Sequence, residues 1–247
     1  MIEQEQMERM QQAVAEIRRT MAEAAIRAGR KPEEILLCAA CKTRTVEAVR
    51  ASAELPIDIF GENHVQELVE KTDAGAYLGK PGHFIGHLQT NKVKKVVGRA
   101  SLIQSVDSEH LALAIEKEAA KRELQQDILL EVNIGEESSK SGVNADGLWS
   151  LFVRLLATTP HLDIRGLMAI PPANASEDET RRFFAKMRGL YEEAAQRYAG
   201  SVDMQYLSMG MSGDYALAIA EGANIVRIGT AIYGPRDYSA KAYINGG

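Results

Sequence analysis

The sequence predicts a (β/α)8 TIM-type barrel with an extra N-terminal helix. Three observations lead there. Eight strand-length apolar runs follow one another, and seven of them precede a helical pattern. The runs do not alternate strictly, as suits parallel strands covered on both faces. The 247 residues match one such barrel in size, with no long linker to divide them. Residues 1–247 are therefore expected to form one domain. An open doubly wound sheet is the alternative, but no Gly-x-Gly-x-x-Gly follows the first strand to favour it.

The first element is a helix over about residues 7–28. Met7, Met10, Val14, Ile17, Met21, Ala24 and Ala28 step by three and four, drawing one apolar stripe. Gly29 and Pro32 stop it. Such a helix is expected either to cover the bottom of the barrel or to fill the place of a weak eighth helix. Residues 35–41 read as strand one, with a helix from Thr45 to about Ala53. Residues 57–60 are strand two, followed by a helix over about 65–78. Strand three is 83–86, and a basic helix spans about 90–97. Strand four is 101–106, with a helix from near Ser108. Strand five is 127–134, and its helix carries Leu148, Leu151, Phe152, Leu155 and Leu156 as one stripe. Strand six is 163–169. Ser176 and Glu179 then form a capping box for a helix bearing Phe183, Met187, Leu190, Tyr191 and Ala194. Strand seven is 204–207, with a short helix after Gly213, and strand eight is 224–228. Residues 236–247 show little apolar periodicity.

Composition narrows the function. Lys plus Arg number 29 against 34 Asp plus Glu, a net charge of −5. That balance speaks against a broad nucleic-acid surface. No uncharged apolar run nears the roughly 18 residues of a membrane span. The start, Met1-Ile2-Glu3-Gln4-Glu5, lacks the basic and apolar regions of a secretory signal. With only Cys38 and Cys41, a disulfide scaffold is excluded and a reduced, cytoplasmic setting is expected. Their Cys-x-x-Cys spelling lies within a strand, where an offset of three points the side chains to opposite faces. Neither disulfide nor zinc chemistry is expected of them. His83 and His87 have a metal-binding spacing only on a helix, and they read as strand then loop; no metal is expected. Lys92, Lys94, Lys95 and Arg99 read as a solvated helix face.

In a barrel of this type the active face lies at the C-terminal ends of the strands. Lys42 follows strand one. Gly61, Glu62 and Asn63 follow strand two, and His87 and Gln89 follow strand three. Ser208-Met209-Gly210-Met211-Ser212-Gly213 follows strand seven, and strand eight carries Arg227 before Gly229-Thr230. Small residues in the last two loops leave backbone N–H groups open to an anion, and Ser212 is placed to cap the next helix. Barrels put phosphate sites in these loops; tight turns are the plainer reading of the glycines. A desolvated lysine at a strand end is fit to form a Schiff base. Otherwise it snorkels to solvent or pairs with a carboxylate such as Glu62. Lysine, phosphate loops and arginine together fit a phosphorylated aldehyde held covalently, with pyridoxal phosphate the candidate.

Seven stretches carry a family resemblance. They are Cys41-Lys42-Thr43, Phe60-Gly61-Glu62-Asn63-His64-Val65-Gln66-Glu67, His83-Phe84-Ile85-Gly86-His87-Leu88-Gln89-Thr90-Asn91-Lys92, Ser138-Ser139-Lys140-Ser141-Gly142, Gly166-Leu167-Met168-Ala169-Ile170-Pro171, Leu207-Ser208-Met209-Gly210-Met211-Ser212 and Val226-Arg227-Ile228-Gly229-Thr230-Ala231-Ile232-Tyr233-Gly234. Together they resemble the YggS/PROSC family of pyridoxal phosphate-binding (homeostasis) proteins, whose fold is similar to the N-terminal barrel of alanine racemase. The resemblance implies that Lys42 holds pyridoxal 5′-phosphate as a Schiff base. It implies that Ser208, Gly210, Ser212, Gly229 and Thr230 hold the phosphate, that Arg227 faces the pyridine nitrogen, and that Asn63 lines the ring pocket. Three positions depart from the family pattern: Cys41 for serine, Gly82 for tryptophan and Gly213 for aspartate. None removes a group assigned to the cofactor.

The implied role is intracellular homeostasis of pyridoxal phosphate (vitamin B6), with little or no catalysis and no catalytic residue assigned. The expected partners are the cofactor and apo-enzymes that accept it, with no nucleic acid and no membrane, and the expected state is a monomer. Two rivals stand beside this reading. One is a pyridoxal phosphate-dependent amino-acid racemase with Tyr233 or Tyr206 as second base; the other is a lysine-dependent aldolase acting on a sugar phosphate. Against the racemase, a cationic Arg227 keeps the pyridine nitrogen unprotonated and the ring a poor electron sink. The chain is also expected to have no room for the separate domain that lends alanine racemase its tyrosine base.

Overall fold

The computed structural model describes residues 2–137 and 140–235. Within them, eight parallel strands close into a barrel in sequence order. They are β1 Leu36–Ala40, β2 Ile59–Glu62, β3 Gly82–Phe84, β4 Leu102–Val106, β5 Gln126–Val132, β6 Leu162–Ala169, β7 Tyr206–Ser208 and β8 Ile225–Ile228. Closure comes from β8 pairing with β1, with Cys38 opposite Arg227. Outside the sheet lie α1 Gln4–Arg27, α2 Val46–Ser52, α3 Val65–Asp73, α4 Val93–Val96, α5 Glu109–Lys121, α6 Ala145–Thr158, α7 Glu177–Arg197, α8 Tyr215–Ala220 and α9 Thr230–Tyr233. The (β/α)8 barrel predicted from the sequence is the observed fold.

Local signals set most boundaries. Thr45, Ser108 and Asn144 accept backbone N–H groups at the starts of α2, α5 and α6, which satisfies donors the helix cannot. Ser176 and Glu179 form the expected capping box at α7. α1 buries Met10, Val14, Ile17, Met21, Ala24 and Ala25. It packs on α8, α9 and α2. It thus fills the outer layer beside β8 and β1, where the single turn of α9 leaves a gap, rather than the bottom of the barrel.

Several boundaries differ from expectation, and those below bear on the site. β2 runs on to Glu62, because Gly61 and Glu62 pair with β3 and Gly61 also with β1; this draws Glu62 from the loop into the sheet. α3 stops at Asp73, where Gly75 turns left-handed at φ +62. The expected basic helix is a 3-10 turn over Thr90–Lys92 followed by the one turn of α4. The segment expected to be weakly periodic, 236–247, lies outside the described residues, as do Ser138 and Ser139.

The sheet has two cores. Leu37, Ala39, Phe60, Leu130, Val132, Leu167 and Val226 face outward under the helices. Inside the barrel, Cys38, Ile59, Leu102, Leu129, Met168 and Ile225 form a second apolar cluster. Gly166 lets β6 and β7 approach: a Cβ there would lie 1.8 Å from the Tyr206 carbonyl oxygen.

Candidate active site at the barrel mouth

Lys42 stands two residues beyond β1 and is half-buried. Cys38 lies in the inner cluster and Cys41 in the outer one, the opposite faces the sequence predicts. By the same alternation Lys42 falls on the side of Cys38 and Ala40, toward the barrel axis. Both of its neighbours are tied to α3. Lys71 Nζ donates to the Cys41 carbonyl at 2.8 Å, and the Thr43 N–H donates to Glu67 Oε1 at 2.7 Å. Lys71 is itself held by Glu62, at 2.9 and 3.1 Å, with both side chains buried. The Tyr77 hydroxyl also donates to Glu62, at 3.3 Å. Burial pushes the Glu62 carboxyl up and Lys71 opposes it. Glu62 is thus bonded to Lys71 and Tyr77, a pairing the sequence reading did not anticipate. Beside this tether, Asn63 Oδ1 and Thr43 Oγ1 are buried without a hydrogen-bond partner.

The loops after β7 and β8 meet. The Arg227 N–H donates to the Gly210 carbonyl at 2.9 Å, and Thr230 Oγ1 donates to Ser212 Oγ at 3.2 Å. Gly210 sits at φ +91, and a Cβ there would lie 2.5 Å from that of Ala218; only glycine lets this loop lie so flat on α8. Gly229 lies against the end of β1, where a Cβ would meet the Ala40 carbonyl oxygen at 3.1 Å. Ser212 does not cap α8. Asp214 holds the N-cap position, and its carboxylate accepts the Met211 N–H at 2.6 Å, leaving the Ser212 hydroxyl to Thr230.

Below the mouth, a directed hydrogen-bond chain crosses the interior. Arg227 donates to Ser208 Oγ at 2.7 Å, and Ser208 donates to Gln104 Oε1 at 2.6 Å. The Gln104 amide reaches His83 Nδ1 at 2.8 Å. With its amide nitrogen donating, Nδ1 of His83 accepts; burial pushes His83 down to about 3, so the ring is neutral. Arg227 also donates to the Ala169 carbonyl at 3.0 Å. Ser208, expected at the phosphate, sits in this chain with its hydroxyl between Gln104 and Arg227. The residue is fully buried.

Burial pushes both thiols up, that of Cys38 to about 12, which leaves them poor nucleophiles. Tyr233 is buried on the outer face, with its hydroxyl 2.8 Å from Ser52 Oγ and 3.4 Å from Cys41 Sγ. Tyr206 packs on the lower inner cluster. Neither tyrosine stands at the mouth. Beside the mouth, over β3–β5, a cavity of about 510 Å³ is lined by His87, Gln89, Asp107, His110 and Ser141 among others. Among the described residues, no cluster of three or more His, Cys, Asp or Glu is fit to hold a metal. No helix among them is long and apolar enough to cross a membrane.

The sequence did not disclose the roles of Glu67, Lys71, His83 and Gln104. A signal existed for some. Lys71 falls three residues beyond Leu68 on the buried stripe of α3, and Gln104 and Glu131 interrupt apolar strand runs. A buried polar group needs a partner, but spacing does not say which.

A model of the alanine racemase N-terminal domain matches residues 15–237. The pyridoxal phosphate homeostasis protein of Aquifex aeolicus is 43% identical over 212 residues, covering 86% of this chain and 92% of that protein. The crystal structure of a Bifidobacterium adolescentis protein of unknown function superposes with a TM-score of 0.88 at 33% identity, covering 94% of this chain and 98% of the other. PipY of Synechococcus elongatus, with pyridoxal phosphate bound, superposes with a TM-score of 0.75 at 32% identity, covering 87% and 100%. The chain belongs to the family of pyridoxal phosphate homeostasis proteins, built on the alanine racemase N-terminal barrel.

Proposed function

We propose that the protein binds pyridoxal 5′-phosphate at the barrel mouth, linked as a Schiff base to Lys42, and serves cofactor homeostasis as a carrier. The observation that carries the reading is the junction of strand ends: Gly229 lies against Ala40, two residues before Lys42, and the loop it begins meets the Gly210–Ser212 loop through Thr230. A lysine with both neighbours tethered thus adjoins a two-loop glycine cradle. The residues fit the group. When bound, the cofactor supplies an aldehyde and an electron-accepting ring. Gly210, Ser212, Gly229 and Thr230 would bind its phosphate, and the orphaned Asn63 Oδ1 has hydrogen-bonding capacity for the ring.

Arg227 would face the pyridine nitrogen as a fixed cation, which holds protons off that atom. Ser208 acts through Arg227 rather than on the phosphate. Racemisation asks for an acid–base group on each face of a substrate. Tyr233 and Tyr206, the tyrosines suggested for that task, are both turned away from the mouth. That supports carriage over turnover. The reading includes delivery to apo-enzymes, a cytoplasmic setting for two unpaired thiols, one domain and a monomeric state.

The test is the visible absorption spectrum of the purified protein after incubation with pyridoxal 5′-phosphate. A Schiff-base band is expected in the wild type and absent from Lys42→Ala. An equal band in the variant would refute the assignment.

A further inference from the structure

Glu131 has no part in the roles above. Its neighbours Leu130 and Val132 pack in the outer core, while Leu129 lies in the inner cluster. Glu131 therefore faces the barrel axis. β5 stands across the barrel from β1, so Glu131 faces the mouth from the side opposite Lys42. The residue is only 9% exposed, with its carboxylate oxygens at the edge of solvent. Among the described residues, no hydrogen bond or ion pair reaches its carboxylate. A carboxylate so little hydrated and without protein donors is costly when charged.

The charged groups around it are known by element. Asp107, just past β4, is a like charge, partnered at 3.4 Å by His87. Arg227 on β8 attracts it, but its guanidinium is committed to Ser208 and the Ala169 carbonyl. On β6 the residue in register is Met168. His83 on β3 is neutral, and Lys42 lies across the mouth. Burial first, then Asp107, pushes Glu131 up to about 7, with Arg227 pulling back.

We propose that Glu131 is a proton-holding wall of the ligand site, which takes up a proton when an anionic phosphorylated ligand occupies the mouth and gives it back when the mouth empties. The proton comes from solvent on binding and returns to it on release; it is separate from the condensation at Lys42, in which the amine and the ligand aldehyde form a C=N bond and release one water, identically in wild type and variant. The proposal rests on the reading that the mouth takes pyridoxal 5′-phosphate. Each anion disfavours the other, so ligand affinity falls as pH rises through the Glu131 titration. A one-unit rise of the Glu131 pKa on binding corresponds to about a tenfold loss of affinity across that range.

The experiment compares equilibrium titrations of wild type and Glu131→Gln with pyridoxal 5′-phosphate from about pH 6 to about pH 8.5, the range that brackets the group. Glutamine keeps the shape and removes the charge, and a thermal melt checks the fold. Titration of the ligand itself is common to both proteins and cancels in the affinity ratio. The variant is expected to match wild type at the acid end and to bind about tenfold tighter at the alkaline end. Calorimetry in two buffers should show proton uptake in wild type that the variant lacks. Parallel pH curves for the two proteins overturn the proposal alone. Loss of binding in both overturns the reading of the mouth, and this proposal with it.

Discussion

Below, the barrel interior holds one apolar cluster, Cys38, Ile59, Leu102, Leu129, Met168 and Ile225. Above, it is His83, Gln104, Ser208 and Arg227 in one hydrogen-bond chain, with Glu131 beside it. The two halves are built from the same strands, often from residues two apart: Leu102 and Gln104, Leu129 and Glu131, Ile225 and Arg227. The lower half fills space and closes the sheet. The upper half spends burial on polar groups, which is tolerated because each link of the chain has its donor or acceptor. Arg227 would be an expensive guest in a barrel without Ser208 and the Ala169 carbonyl. The comparison teaches that stability and ligand affinity are separable along one axis, two residues apart.

The largest effect should come from the lower half. Leu129→Ala should cost about 2–5 kcal/mol of folding stability, as cavities in packed cores do. Urea unfolding measures it, and pyridoxal 5′-phosphate affinity should stay at the wild-type value in the folded variant. Lost affinity in a folded Leu129→Ala protein would break the division. The smaller effect belongs to the mouth. Ser212→Ala and Thr230→Val should each weaken ligand retention by about 1.5–3 kcal/mol, the worth of a hydrogen bond to a charged group. Stability should move by no more than about 0.5 kcal/mol, as for surface changes. A double variant with unchanged affinity would remove the phosphate role of these loops.

The lower half was the more legible in the sequence. Apolar runs gave all eight strands, and small residues near Gly210 and Gly229 marked the loops that meet at the mouth. The upper half was less so. Ser208 reads with its loop because it adjoins Gly210; its hydrogen-bond partners, Gln104 and Arg227, are distant in sequence and meet it only on barrel closure. Ser212 reads as the helix cap because it precedes α8, but α8 starts two residues later with Asp214 at its N-cap position and no side-chain cap. Glu62 reads as a loop residue in the sequence because β2 pairs two residues further than its apolar run. Lys71, the group that anchors the Cys41 carbonyl, looked like one charge among many on α3. Pairing across elements, rather than residue type, decided each case.

The most direct test of the account is reduction with borohydride in the presence of pyridoxal 5′-phosphate, followed by peptide mapping. The account predicts one stable adduct, on the peptide that carries Lys42. An adduct on Lys71, Lys140 or any other lysine in its place, or none at all, would contradict it.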